Sequence, residues 1–169
     1  MRILILSFLL VLAAGASGQK LSKYYRTSNL ENGKIYFVKS FEDFESSKGR
    51  DAFIYDLTYL KGSDTLTINY TYYAEEAFEA DSIGIQFNKQ ITFFPTERLF
   101  IERNKKSWEH RYTAEVPLEF MVDFYDSENS PFFQLQSGGK SLVYEIRNNK
   151  WEKFSGIMQQ IFQVIELNR

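Results

Sequence analysis

The sequence predicts an α+β fold, in which a curved antiparallel β-sheet or sandwich of about eight short strands is covered by a C-terminal amphipathic helix. Through residues 35–147, short runs of alternating apolar and polar residues are separated by turn residues, which is typical of consecutive β-hairpins. Through residues 149–166, apolar residues recur instead with a helical period. An all-β sandwich that carries one helix is the alternative.

Residues 1–18 have the pattern of a secretory signal peptide. Arg2 precedes an apolar stretch over residues 3–12, and small residues follow. The apolar stretch is too short to span a bilayer, so we expect cleavage after Ala16 or Gly18. The sequence therefore predicts an exported protein, periplasmic or secreted, without stable membrane insertion after cleavage. Residues 19–169 are expected to form a single domain.

The composition argues against several classes of function. The chain carries 20 Lys and Arg residues against 22 Asp and Glu residues, and this balance does not suit binding to nucleic acid phosphates. Cysteine is absent, which excludes thiol-based sites and favours a bacterial envelope protein over a small disulfide-bonded domain. With one His and no Cys, we expect no metal and no other cofactor.

The N-terminal part of this domain gives weak signals. Residues 19–34 are polar, and we expect them to be irregular apart from a turn at Asn32 and Gly33. The first strand is expected over residues 35–38. Residues 42–51 are charged and predict an exposed loop, or a short helix around Phe41 and Phe44.

The strongest β-signal is a hairpin formed by residues 52–60 and 65–72, joined by a turn that contains Gly62. An acidic connection over residues 74–81, with at most one helical turn, leads to a second hairpin. Its strands are residues 83–87 and 91–93, its turn is Asn88 and Lys89, and Pro95 ends it.

The next two strands are expected over residues 99–102 and 108–116, on either side of a basic turn. Residues 117–126 fit both a strand and a helix. We favour a short helix, because Pro117 suits the first helical position and Glu119 suits the first turn. A third hairpin follows, with strands at residues 132–136 and 141–147 and a turn at Gly138 and Gly139.

The C-terminal helix is predicted to begin at Asn149, which would form a capping box with Glu152. One side of this helix collects the large apolar residues Trp151, Phe154, Ile157, Met158, Ile161, Phe162, Val164 and Ile165. Its other side carries mainly Gln and Glu, whereas a membrane-surface helix would carry Lys and Arg. We therefore expect the helix to pack on the sheet of its own chain.

The aromatic content is the most unusual feature, with 16 Phe, 11 Tyr and 2 Trp residues. Tyr55, Tyr59, Tyr70 and Tyr72 are expected to lie close together across the first hairpin, and Tyr73 on its opposite face. Packing alone is a sufficient reason for these residues. The functional alternative is a concave wall that binds an apolar ligand or stacks on a sugar, which makes these five tyrosines the candidate ligand contacts.

Candidate catalytic groups are poorly supported. His110, the only histidine, is expected on the inward face of its strand, and no recognisable nucleophile or phosphate-loop motif is present. The acidic residues Glu75, Glu76, Glu79, Asp81, Glu109, Glu115, Asp123, Asp126 and Glu128 fit solvated loops and strand faces. We therefore assign no catalytic and no metal-binding residue.

The sequence is most consistent with an exported, non-enzymatic binding or interaction module of a bacterial cell envelope. Its partner would be a protein, or a small apolar or carbohydrate ligand. One alternative is a small-ligand carrier with an aromatic-lined cavity. The other is a carboxylate-based hydrolase, which requires two acidic groups about 5–10 Å apart in one cleft.

Overall fold

The structure is a computed structural model that describes residues 21–40, 44–46 and 52–168. The predicted signal peptide lies outside the described residues, and so does most of the predicted loop over residues 42–51. Neither helix of the described part of the chain is long and apolar enough to cross a membrane.

The described residues form eleven strands and two helices. The strands are β1 (Tyr25–Leu30), β2 (Gly33–Val38), β3 (Phe44–Ser46), β4 (Ala52–Leu60), β5 (Thr65–Ala74), β6 (Ser82–Phe87), β7 (Gln90–Pro95), β8 (Glu97–Asn104), β9 (Ser107–Pro117), β10 (Phe132–Ser137) and β11 (Lys140–Glu145). The helices are α1 (Leu118–Asp126) and α2 (Asn148–Leu167).

All the strands belong to one antiparallel sheet, with the order β7-β6-β10-β11-β3-β4-β5-β9-β8. The hairpin β1–β2 is attached to this path, because β2 pairs with the second half of β4. Several neighbours in the sheet are distant in sequence, such as β6 with β10 and β3 with β11. The sheet is therefore not a simple meander of hairpins.

The two ends of the sheet are joined by consecutive residues of the chain. β7 pairs with β6 at one end, β8 pairs with β9 at the other, and only Thr96 separates β7 from β8. The backbone N–H of Thr96 donates to the carbonyl of Asp81, which ties this junction to the start of β6. The result is a nearly closed, barrel-like sheet.

Alternation along the strands gives the sheet an apolar inner face and a more polar outer face. In β4 every second residue is buried, and β9 follows the same rule from His110 to Val116. Both helices pack against the inner face, where Phe124 of α1 and Phe154 of α2 contact aromatic rings of the sheet. This arrangement confirms the predicted α+β class, with a curved sheet covered by the C-terminal helix.

The hairpin turns follow from local chemistry. Asn88 and Lys89 have φ values of 49° and 65°, the left-handed conformation that a two-residue turn of type I′ requires. Gly138 and Gly139 adopt φ values of 51° and 86° between β10 and β11. These turns confirm the predicted second and third hairpins and fix the register of their strands.

Two sequence-based expectations at the strand level are wrong, and one alternative that the sequence left open is resolved. The stretch over residues 19–34 was expected to be irregular, whereas β1 occupies Tyr25–Leu30 and pairs with β2. Phe44–Ser46 is a strand rather than part of a loop or helix, because it fills the position between β11 and β4. The acidic connection, which was expected to hold at most one helical turn, contains none over residues 75–81, because backbone groups there bond to neighbouring strands and side chains instead.

The expected short helix after β9 is confirmed as α1. Pro117 stands just before its first residue in an extended conformation, and the N–H of Leu118 donates to the carbonyl of Asp64 at 2.9 Å. The buried residues of α1 are Leu118, Met121, Phe124 and Tyr125. These positions recur with a helical spacing, and Val122, which fitted both the helix and the strand pattern, is half-buried.

The last helix begins at Asn148, and the predicted capping box is wrong. The residue before it is Arg147, whose carbonyl accepts the N–H groups of Lys150 and Trp151 at 3.0 and 2.9 Å. Within the described part of the chain, no side chain caps the helix. Asn149 therefore lies inside the first turn. The predicted apolar side of the helix is confirmed, since six of its members are buried and Ile157 and Val164 are half-buried.

Candidate functional site

Four of the five candidate tyrosines lie on the inner face of the sheet. Tyr55, Tyr59, Tyr70 and Tyr72 are each at most 4% exposed. Tyr55 and Tyr70 are cross-strand partners, and Tyr70 stacks between Phe53 and the neighbouring Tyr72. The structure brings these residues together as the hairpin pattern predicts, but it places them in the packed interior rather than on a concave surface open to solvent.

The helices occupy the space that these rings would otherwise line. Phe154 of α2 lies 6.1 Å from the Tyr55 ring, and the Tyr55 hydroxyl bonds to the Tyr125 hydroxyl of α1 at 2.7 Å. Burial raises the pKa of Tyr55 well above its ordinary value. These contacts favour a packing role for the tyrosines, and a role in ligand binding stays a prediction.

The hydrogen bond between Tyr55 and Tyr125 gives a measurable test of this packing. Tyr125→Phe should lower the free energy of unfolding by about 1–3 kcal/mol, because it leaves the buried Tyr55 hydroxyl without its partner. The double variant Tyr55→Phe/Tyr125→Phe should recover most of that loss, since neither ring then carries an unpaired hydroxyl. Urea unfolding of both single variants and the double variant measures the coupling. Strictly additive losses would contradict the bond.

Tyr73 is separated from the other four tyrosines. It is half-buried on the outer face, opposite Glu109 of β9. Partial burial, followed by the negative charge of Glu109, raises the pKa of its hydroxyl. The opposite placement of Tyr72 and Tyr73 confirms the predicted alternation, while a ligand contact at Tyr73 stays a prediction.

His110 has a structural environment. It is fully buried, and its ring stacks on Tyr72 with the centroids 4.5 Å apart and the planes 5° apart. Its Nε2 accepts the backbone N–H of Phe78 at 3.0 Å, so the Nδ1–H donates to the carbonyl of Trp108 at 3.1 Å. The hydroxyl of Tyr72 donates to the carbonyl of Phe78. Together these groups anchor the connection between β5 and β6.

These bonds suit the neutral imidazole, and burial lowers the pKa of His110 below its ordinary value of 6.5, although nearby Glu79 raises it in part. The unfolded chain then binds a proton that the folded chain does not, so stability falls as the pH drops below about 6.5, by at most about 1.4 kcal/mol per pH unit. Urea unfolding between pH 7.5 and 5 should show this loss. His110→Gln should have a lower free energy of unfolding at pH 7.5, but that free energy should change less between pH 7.5 and 5. An equal pH dependence in both proteins would contradict the assignment of a neutral His110.

A polar network crosses the outer face over β4, β5 and β9. Arg111 bonds to Asp56 at 2.7 Å and to the Thr71 hydroxyl at 2.8 Å. The amide of Asn69 donates to the other oxygen of Asp56 at 3.0 Å. Both Asp56 oxygens therefore accept hydrogen bonds from the protein, which favours a structural role for this carboxylate.

The other acidic groups do not point to catalysis. Glu79 forms an exposed ion pair with Arg98 at 2.9 Å, and Asp123, Asp126 and Glu128 are exposed at the end of α1. Within the described residues, no three His, Asp or Glu side chains are grouped so that they could hold a metal ion.

An apolar surface that the sequence analysis did not identify lies on the outer face of β6 and β7. Ile91 and Phe93 are 37% and 39% exposed, and both side chains lean over Gly84. A Cβ atom at Gly84 would lie 2.6 Å from Cε1 of Phe93 and 2.8 Å from Cδ1 of Ile91. The absence of a side chain at Gly84 therefore lets the two apolar groups rest directly on the sheet. We name Gly84, Ile91 and Phe93 the outer platform.

A polar pocket borders the outer platform. It has a volume of about 360 Å³ and is lined by Asp81, Ser82, Gln134, Gln136, Ser137, Gly138, Gly139, Lys140 and Ser141. Gln134 is the register partner of Gly84, and Gly84 is the register partner of Phe93. Because neighbouring strands lie about 4.8 Å apart, the Phe93 ring that rests on Gly84 lies next to Gln134.

The sequence contained a signal for the outer platform. The two-residue turn at Asn88 and Lys89 pairs Gln86 with Ile91 and Gly84 with Phe93. Ile91 and Phe93 must therefore share a face with Gln86 and Gly84, opposite to the buried Ile83 and Ile85.

The chain matches no family model, no curated protein and no solved structure at a significant level. Any function proposed for it therefore rests on its own residues. The interior is occupied by packed aromatic rings, and the outer platform and the polar pocket are two surface features on which a function can be based.

Proposed function

We propose that the protein is an exported, non-enzymatic binding module of a bacterial cell envelope, and that it binds through the outer platform. The observation that carries this proposal is that the side chains of Ile91 and Phe93 pack over Gly84 while each residue remains more than a third exposed. Exposed apolar groups that lie side by side on a folded surface are candidates for contact with a ligand or partner.

The two end strands of the sheet differ in a way that supports the proposal. β8 contains Glu97, Arg98, Glu102 and Arg103 and has an irregular register between Arg98 and Phe100, features that usually block association at a sheet edge. β7 has no charged residue and an unbroken register with β6. The strand that carries the outer platform is therefore the end strand that is less protected against contact with another molecule.

The alternatives have less support. A carrier needs a cavity inside the sheet, whereas aromatic rings of α1 and α2 lie against the inner tyrosines. A carboxylate-based hydrolase needs two converging acids, whereas Asp56 is engaged by Arg111 and Asn69. A binding role on the outer face needs neither feature.

Native mass spectrometry of the protein purified from its own host tests the proposal. The wild-type protein is expected to retain the mass of a ligand or partner, and Phe93→Ala is expected to reduce the bound fraction about tenfold by removing the apolar contact. Leu99→Ala is the matched control, because Leu99 is an exposed apolar residue on β8 outside the outer platform. It should leave the bound fraction unchanged.

Stability must be measured beside binding. Phe93→Ala should change the free energy of unfolding by no more than about 1 kcal/mol, since the ring is exposed on an end strand. The proposal would be contradicted if the wild-type protein purified from its host carried no retained ligand or partner mass. Turnover of a glycoside, ester or phosphate substrate that a single carboxylate replacement abolishes would also contradict it.

A further inference from the structure

The outer platform and the polar pocket are continuous across three strands. Along one register line, Gln134 of β10 faces Gly84 of β6, which faces Phe93 of β7. Along the next line on the same face, Gln136 faces Ser82. An apolar ring therefore stands beside a row of amide and hydroxyl groups.

The polar side of this surface offers free hydrogen-bonding capacity. A glutamine amide has two donor hydrogens and an acceptor oxygen, and a serine hydroxyl is both donor and acceptor. Among the described residues, the side chains of Gln134 and Gln136 form no hydrogen bond with the protein. Both are half-buried, so their amides are partly shielded from bulk water while they face the pocket.

The charge of the pocket restricts the ligand. Its lining contains one carboxylate, Asp81, and one ammonium group, Lys140. The carboxylate of Asp81 already accepts the backbone N–H of Gly138 at 3.2 Å. A phosphate or polyanionic ligand would need several positive groups, and a purely apolar ligand would leave the amides unpaired.

We propose that the outer platform and the polar pocket together bind a neutral carbohydrate, a proposal that rests on the proposed function and specifies its ligand. A sugar ring has one face of C–H groups and a rim of neighbouring hydroxyls. The C–H face stacks on Phe93, and the hydroxyls bond to the amides of Gln134 and Gln136. The side-by-side placement of an apolar ring and neutral amides matches this division of the ligand.

Affinity electrophoresis tests the inference with defined probes. Purified protein is run through gels that contain a neutral α-glucan, β-glucan, mannan, galactan or xylan, with polygalacturonate as the charged comparison. At least one neutral polysaccharide should retard the protein, and polygalacturonate should not. Isothermal titration with the matching oligosaccharide then gives the dissociation constant for the wild-type protein and each variant.

Three variants divide the site into its parts. Phe93→Ala and Gln134→Ala should each weaken binding about tenfold or more, through loss of the stacking surface and of the hydrogen bonds respectively. Gly84→Ala should also weaken it, because the new methyl group pushes the Phe93 ring and the Ile91 side chain off the sheet. Gln160→Ala, a change on the exposed side of α2, is the matched amide control and should have no effect.

The outcomes separate the carbohydrate inference from the proposed function. If no neutral polysaccharide retards the protein, while material retained from the host still depends on Phe93 and not on Gln134, the carbohydrate inference is overturned and the binding module stands. If no neutral polysaccharide retards the protein and it instead forms a concentration-dependent dimer that Phe93→Ala abolishes, the carbohydrate inference is again overturned and the binding module stands. If neither a polysaccharide nor any retained mass depends on Phe93, both proposals fall.

Discussion

Replacement of Trp151 by Ala is expected to lower the free energy of unfolding by about 3–5 kcal/mol. The side chain is 1% exposed, and its ring lies 5.1 Å from that of Phe124 and 5.8 Å from that of Phe154. Its Nε1–H donates to the carbonyl of Ser127 at 3.1 Å. The substitution therefore opens a cavity between α1 and α2 and also leaves the Ser127 carbonyl without this donor.

Urea unfolding followed by circular dichroism measures this effect. Trp151→Phe keeps most of the ring volume but loses the hydrogen-bond donor. It should therefore lower the free energy of unfolding by less than Trp151→Ala does. Glu152→Ala is the neighbouring surface control, because Glu152 is exposed, and its effect should stay within about 0.5 kcal/mol. A cost below about 1 kcal/mol for Trp151→Ala would mean that α2 is not part of the core.

Phe53→Ala is expected to cost a similar amount, about 3–5 kcal/mol. Phe53 is fully buried at the centre of the inner face, and its ring lies 4.7 Å from that of Phe133 and 5.3 Å from those of Tyr70 and Tyr144. These partners come from strands that are far apart in sequence. The substitution thus removes a contact shared by β4, β5, β10 and β11.

The adjacent residue provides the control for Phe53. Ile54 is half-buried on the outer face of the same strand, so Ile54→Ala should cost only about 1 kcal/mol. The same urea unfolding experiment compares the two variants. If Ile54→Ala proved as costly as Phe53→Ala, the assignment of inner and outer faces of β4 would be wrong.

Local patterns in the sequence were sufficient for most elements. The apolar side of α2 follows from its helical period, and the hairpins β4–β5, β6–β7 and β10–β11 follow from alternation and from their turn residues. His110 was expected to face inward, and it is buried. Each of these features depends on residues that are close together in the chain.

The features that escaped prediction depend on distant residues or on the edge of the sheet. β1 was missed because five of its six residues are exposed, so it shows no alternation. β3 has only three residues, and its partner β11 lies at the other end of the chain. The filling of the interior by α1 and α2 likewise follows from how the sheet curves, which no local pattern specifies.

The binding site proposed from the structure differs from the tyrosines expected from the sequence for a related reason. Tyr55, Tyr59, Tyr70 and Tyr72 cluster as expected, but whether a tyrosine-rich wall is a binding surface depends on what covers it. Here Phe154 and Tyr125 come from helices that follow much later in the sequence. Phe93, in contrast, belongs to the outer platform through the register of a two-residue turn, which could have been derived from the sequence.

The pairing of β3 with β11 also determines when the domain can fold during its synthesis. Residue 45 pairs with residue 145, and α2 supplies the interior only after β11 has been made. Contacts of such high sequence separation slow folding, and a nascent chain that still lacks β11 and α2 has no complete core. The domain should therefore remain unfolded until β11 and α2 have been synthesised, which is a state compatible with the export that we propose.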